Sequence, residues 1–291
     1  MRISAVLIVK NEAPIIARCL KSVKDFDEIV VVDTGSTDGT QDICRSFGAK
    51  VFEDYTWNDD FAEARNHAIS KATGDWLFSI DADHVLKTPF NVMVRTAKDA
   101  DRKGHKTVMV KSTAERSGHW HWRELLYKKD PSVFWVSPVH ECLSIPATMK
   151  SEIEKVYGYS KNHHSDPERN IRILLNKCDI NKPRTRFYLA RENYERKRYD
   201  EAIEWADKYL EIATWLPEIC EAHLLKAWCY WMTDRGNEAR KSCLECIRWN
   251  PDFKEALLFM AKIHNEPWKH KWARLAEAAT SEDVLFVRVK R

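Results

Sequence analysis

Apolar residues along the first ~150 positions come in short runs separated by stretches of helical period. Ser4–Val9, Glu28–Asp33, Lys50–Glu53 and Asp75–Ile80 read as buried strands. The stretches 15–23, 41–47 and 61–71 between them read as helices, with Pro14 suited to a first helical turn. Strand alternating with helix implies a mostly parallel sheet with helices on both faces. Ligands of such sheets sit beyond the carboxyl ends of the strands, the edge where Asp33 and Asp81 fall. From Thr107 to about Tyr159 the pattern turns to β-like segments, with candidate strands at 108–111, 124–127 and 133–136. Trp120, Trp122 and Trp135 cluster there, and either core packing or stacking on a sugar suits them.

After Ser165-Asp166-Pro167-Glu168, a good helix start, the pattern is almost wholly helical and repeats itself. Glu221-Ala222-His223-Leu224-Leu225 recurs 34 residues later as Glu255-Ala256-Leu257-Leu258-Phe259, and Ala227 matches Ala261. A 34-residue helix-turn-helix period with small residues at the helix crossings resembles the tetratricopeptide repeat (TPR). About two and a half repeats are visible over roughly 184–279. The expected division is therefore an α/β domain at 1–165 and an all-α, TPR-like domain at 166–291.

Composition narrows the classes. With 291 residues, 44% hydrophobic and 31% charged, the chain suits a globular protein with a sizeable core. A net charge of only +3, without a long Lys/Arg block, argues against a nucleic-acid binder. No run approaches the ~20 apolar residues of a membrane span, and the N-terminus lacks a signal-peptide pattern. The expectation is a cytoplasmic protein, with action at the inner membrane face also allowed. Of eight cysteines, Cys243 and Cys246 are close but lack a second pair for a zinc site, so the cysteines read as buried thiols.

The chemistry gathers at strand ends. Asp81 and Asp83, one residue apart in Ser79-Ile80-Asp81-Ala82-Asp83, project from one side of the backbone. Carboxylates so close repel unless a cation separates them, and Mg²⁺ or Mn²⁺ is held by such a pair together with substrate phosphates. A polar turn is the plainer alternative. Asp33 opens Asp-Thr-Gly-Ser-Thr-Asp-Gly-Thr after another strand, where a carboxylate can accept from a ribose or base. That loop is neither a P-loop nor a Gly-x-Gly-x-x-Gly dinucleotide loop. Between the two, Asp60 suits a helix N-cap, and Arg65 either offers a planar fork to a diphosphate or, at an ordinary amphipathic helix start, pairs with a surface acid.

Val9-Lys10-Asn11-Glu12, Val32-Asp33 through Thr40, Asp60-Phe61-Ala62-Glu63-Ala64-Arg65-Asn66 and Asp81-Ala82-Asp83 together resemble glycosyltransferase family 2. More narrowly they resemble its bacterial and phage members with TPR repeats behind the transferase domain. The resemblance covers the first ~90 residues in order and spacing and extends loosely to about residue 180. It implies a GT-A fold, a nucleotide-sugar donor that is usually UDP-linked, and an inverting transfer. By match, Asp33 holds uracil or ribose, while Glu12, Asp60 and Arg65 line the nucleotide pocket. Asp83 is the main metal ligand, with Asp81 nearer the ribose or a metal-bound water, and the ion is Mn²⁺ or Mg²⁺. His84 departs from the pattern, which often has Glu there, and is expected to be a surface substitution.

Val139-His140-Glu141 resembles a segment in the acceptor half of the site and makes Glu141 the candidate general base. Related enzymes take a third metal ligand from a histidine at the end of the transferase domain, which here means His163 or His164. The acceptor is a glycan or a protein, and the repeats hold that acceptor, a protein partner or a second copy. The alternative is a TPR-based interaction protein with an inactive transferase domain. A sugar nucleotidyltransferase fits less well, because Lys10-Asn11-Glu12-Ala13-Pro14 is a poor Gly-rich nucleotide loop.

Overall fold

A computed structural model describes every residue except 117, 119, 159–165 and 281–291. The chain forms two compact units, 1–167 and from 168 onward. The first contains β1 (Ile3–Val9), α1 (Ile16–Ser22), β2 (Glu28–Asp33), α2 (Thr40–Ser46), β3 (Lys50–Phe52), α3 (Phe61–Lys71) and β4 (Trp76–Ser79). It continues with β5 (Val85–Leu86), α4 (Phe90–Arg102), β6 (Thr107–Ala114), β7 (Trp120–Lys128), β8 (Trp135–Val136), β9 (Cys142–Leu143) and β10 (Met149–Tyr157).

Eight strands make one sheet in the order β3-β2-β1-β4-β7-β6-β10-β5. β3, β2, β1 and β4 run parallel, β7 is antiparallel to β4 and β6, and β6 pairs with β10 in parallel. The parallel half is what its apolar runs require: all six residues of β2 and all four of β4 are buried. α3 lies on β1 and β2 and buries Ala62, Ala64 and Ala68, small residues that let the helix approach the sheet closely. β8 and β9 form a separate two-stranded ribbon.

Glu28 locks the strand starts on the sheet's other side. Its oxygens accept from Ser4 Oγ (2.6 Å), Lys50 Nζ (2.7 Å), and Thr73 N and Oγ1 (2.7 and 3.0 Å). Burial alone would raise the pKa of this carboxyl, but those bonds prevail and hold it at about 2. Gly74 closes the same corner, because a Cβ there would stand 2.6 Å from Ser4 Oγ.

The second unit is helical: α5 (Arg169–Lys177), α6 (Pro183–Glu195), α7 (Tyr199–Leu210), α8 (Leu216–Met232), α9 (Gly236–Trp249), α10 (Lys254–Ile263) and α11 (Trp268–Ala278). α6 packs on α7, α8 on α9 and α10 on α11, giving three TPR-like pairs where sequence periodicity shows two and a half. Ala202, Ala206, Ala227, Ala239 and Ala256 sit at the crossings beside Phe253 and Phe259. Among the described residues no helix is long and apolar enough to cross a membrane. None of the eight cysteines forms a disulfide, and Cys243 and Cys246 lie in the helical core.

Candidate functional site

Two loops at the carboxyl edge of the sheet interlock. Asn11, in the left-handed region at φ 55°, donates its N–H to Ser36 Oγ (2.8 Å) and accepts at Oδ1 from Thr37 N (2.8 Å). Glu12 is buried, and its N–H donates to Thr40 Oγ1 (2.8 Å). Its carbonyl receives Ile15 N and Ile16 N, which starts the turn into α1. Asp33, at the end of β2, is 2% exposed. Its Oδ1 accepts from Gly35 N (2.9 Å), Ser36 N (2.7 Å) and Gln41 Nε2 (3.4 Å). Its Oδ2 is buried and has no hydrogen-bond partner among the described residues. A buried acceptor left without a donor is costly, and the geometry suits a ligand N–H or O–H arriving there.

α3 supplies the next part. Asp60 caps the helix as its sequence suggests, Oδ1 accepting from Glu63 N (2.8 Å), so that oxygen is committed to the helix. Phe61 N donates to Pro138 O (2.8 Å), and Asn66 exchanges two hydrogen bonds with the backbone of Trp135 (2.8 and 2.9 Å). These bonds bring the loop after β8 against α3 and place Glu141 beside Arg65. Arg65, 9% exposed, donates from Nε to Glu141 Oε1 (2.8 Å) and from a terminal nitrogen to Asp81 Oδ1 (2.8 Å). The guanidinium also lies over the Trp135 ring, 5.1 Å from its centroid. Arg65 thus pairs with acids, but as a buried side chain and with two of the candidate site residues rather than with a surface acid of its own helix. Burial pushes the Asp81 carboxyl up, but the charge of Arg65, with Lys155 behind it, outweighs burial and holds the group far below the carboxylate range.

The turn after β4 carries Asp81, Asp83 and His84. Cys19 Sγ donates to Asp81 O (3.3 Å), and His84 N closes the turn onto the same carbonyl (2.9 Å). The His84 side chain is only 13% exposed, which corrects the expectation of a surface substitution. Nδ1 of His84 faces two donors, Asp81 N (3.3 Å) and Lys155 Nζ (2.9 Å). That assignment leaves the ring proton on Nε2, which faces Asp83 Oδ1 at 3.3 Å. Burial, then Lys155, keeps the imidazole neutral, its pKa well below the ordinary histidine value. Lys155 itself is 4% exposed, and burial lowers its pKa to about 7 against the opposing pull of Asp81.

Sequence reasoning missed Lys155. Its strand, Met-Lys-Ser-Glu-Ile-Glu-Lys-Val-Tyr, alternates polar and apolar residues, and its last lysine reads as a solvated one. The alternation was the available signal, since Ile153, Lys155 and Tyr157 share a face.

Among the described residues no three His, Cys, Asp or Glu converge as a ready metal cage. Asp83, with Asp81 partly engaged by Arg65, matches instead a cation held by one or two carboxylates and by substrate phosphates. His163 and His164 lie outside the described residues. Trp135 is a core residue. Trp120 and Trp122 pair across to Thr113 and Lys111, on the face of the sheet opposite Lys155, and so do not line this edge.

Residues 4–157 match the family described as glycosyl transferase family 2. A TPR repeat-containing protein of Synechococcus elongatus is 38% identical over 141 residues, covering 48% of this chain and 35% of that protein. The SPbeta prophage-derived glycosyltransferase SunS of Bacillus subtilis is 31% identical over 218 residues, 69% of this chain and 51% of SunS. The chain thus spans about a third to a half of the length of these curated relatives. Among solved structures, S. aureus TarS 1–349 in complex with UDP-GlcNAc gives a TM-score of 0.46 at 14% identity, over 96% of this chain and 89% of that one. With the family matched across more than half of its residues, the chain belongs to glycosyl transferase family 2.

Proposed function

We propose that this chain transfers a sugar from a nucleoside-diphosphate sugar, with UDP as the nucleotide, to a glycan or protein acceptor with inversion at the anomeric carbon. The observation that carries the reading is Asp33 Oδ2, a buried acceptor without a donor at the end of β2. It suits the N–H of uracil or a ribose hydroxyl, with Glu12 and the interlocked 33–40 loop forming the pocket wall. Asp60 and Arg65 support the diphosphate side, Asp60 by fixing the start of α3 and Arg65 by holding Asp81 in place.

Asp83, aided by Asp81, is the group to hold Mn²⁺ or Mg²⁺, with a histidine of the 163–164 pair as a further ligand. Such a cation neutralises the charge that develops on the departing diphosphate. Glu141 is the general base: it takes the proton of the acceptor as that group attacks the anomeric carbon and the bond to the diphosphate breaks. Its Oε1 is tied to Arg65, while Oε2 has no hydrogen bond among the described residues and is the oxygen able to receive the proton. The TPR-like pairs are the place for a protein partner, a protein acceptor or a second copy to bind.

A panel of nucleotide sugars, assayed for Mn²⁺-dependent release of the nucleoside diphosphate, tests this reading. Release from UDP-sugars above the other nucleotides supports it. Release from no nucleotide sugar, beside tight capture of a partner by the helical unit, contradicts it.

A further inference from the structure

Lys155 places an ammonium group where water scarcely reaches, and what surrounds it is unusual. Among the described residues no carboxylate makes an ion pair with its Nζ. Its hydrogen-bond partner is Nδ1 of the His84 ring, at 2.9 Å. A buried ammonium faced by a neutral imidazole feels the charges of Asp81 and Asp83 only from a distance and lacks the contact partner that normally offsets its desolvation, a cost of several kcal/mol in proteins.

Its neighbours make the point stronger. In register with Lys155 on the same face of the sheet are Ser112 and, beyond it, His121. Ser112 Oγ is buried and without a hydrogen-bond partner among the described residues. Arg123, two residues along β7 on that same face, adds a second positive charge whose field acts on both Lys155 and His84. Arg65 is satisfied by Asp81 and Glu141; Lys155 has no such partner. A divalent cation at Asp83 would raise the positive charge further. An anion reaching Lys155 beside the Asp81–His84 turn would supply the contact partner that the ammonium lacks.

We propose that Lys155 binds the donor's diphosphate directly, giving this site a share of diphosphate affinity that does not depend on a metal ion. The inference rests on the nucleotide-sugar reading and deepens it. Through His84 the same ammonium is linked to Asp83, since Nδ1 accepts from Lys155 while Nε2 faces Asp83 Oδ1. Lys155 and the Asp83 carboxylate thus touch opposite nitrogens of one imidazole, so a diphosphate arriving on Lys155 acts on a ring that borders Asp83.

The experiment compares UDP with uridine, titrated calorimetrically into the full chain in excess chelator, for wild type, Lys155→Met and Lys155→Arg. Wild type is expected to bind UDP more tightly than uridine without metal. Lys155→Met should weaken UDP about tenfold, the scale of one charge-assisted hydrogen bond, and leave uridine within about twofold; Lys155→Arg should keep most of the UDP affinity. Replacing a buried ammonium by an apolar chain of similar length should not lower the melting temperature, so a folded variant is expected. Equal weakening of UDP and uridine would assign Lys155 a structural role and overturn the proposal. Unchanged UDP affinity in Lys155→Met would also overturn it, as would wild type preferring UDP to uridine only when metal is present. If wild type binds neither compound under any condition, the nucleotide reading falls and this inference falls with it.

Discussion

Arg65 donates to Asp81 and to Glu141 from a site with little access to water, so its shape matters as much as its charge. Arg65→Lys keeps the charge but loses the fork, and is expected to lower turnover roughly a hundredfold while the protein stays folded. Arg65→Ala removes the contact partner of both Asp81 and Glu141 and should cost about 3–5 kcal/mol of stability. Turnover assays and thermal melts on the two variants separate these outcomes. For Asp33, the Asn substitution puts an amide where a bare carboxylate oxygen faces the pocket. UDP affinity in Asp33→Asn should fall about tenfold or more, with little change in melting temperature. Asp33, Asp81, Asp83 and Arg65 were legible as candidates because each sits in a short polar motif directly after an apolar run or at a helix start. Lys155 was not legible, because only the fold brings β10 beside the turn after β4. His84 was misread for the same reason: its burial comes from Lys155 and Tyr157, 71 and 73 positions away.

Among the elements, those that rest on local sequence periodicity were the easiest to read. The helix at 61–71 and the strand at 28–33 are found with the bounds their patterns give. α4 is amphipathic, with Met93, Thr96, Ala97 and Ala100 on its buried face, and was legible by its period although the reading of the sequence did not include it. β9 is two residues long, too short for any period to show. The strand starts yield a prediction of their own. The folded-state pKa of Glu28, about 2, lies below its unfolded value of 4.5. Its stabilisation is therefore full above pH 4.5 and is lost as pH falls toward 2. The contribution at neutral pH is roughly 3 kcal/mol. Glu28→Gln should flatten the acid limb of the stability curve between pH 4.5 and 2, as read by denaturant unfolding at a series of pH values. An unchanged acid limb would mean that the Ser4, Lys50 and Thr73 bonds contribute little.

At the scale of the whole molecule, two separate cores underlie the two units, one around Trp76, Phe78 and Leu7, the other around Phe253, Phe259 and Leu224. A fragment of residues 1–167 is expected to fold alone and to keep the UDP affinity of the full chain within a few fold, since the proposed pocket residues before the 163–164 pair lie on one sheet edge. The repeat was legible at this scale because Ala at helix crossings recurs at a fixed period, whereas the acceptor left no mark that a period or a short motif can reveal. The property that decides the chemistry of the whole molecule is whether the strand-end carboxylates hold a nucleoside diphosphate with a divalent cation. The most direct measurement is calorimetric titration of UDP, in Mn²⁺, into the full chain and into Asp83→Ala. The predicted result is saturable one-site binding in the wild type, weakened at least tenfold in Asp83→Ala at an unchanged melting temperature. Identical UDP binding by the two proteins, or no binding by the wild type, would contradict it.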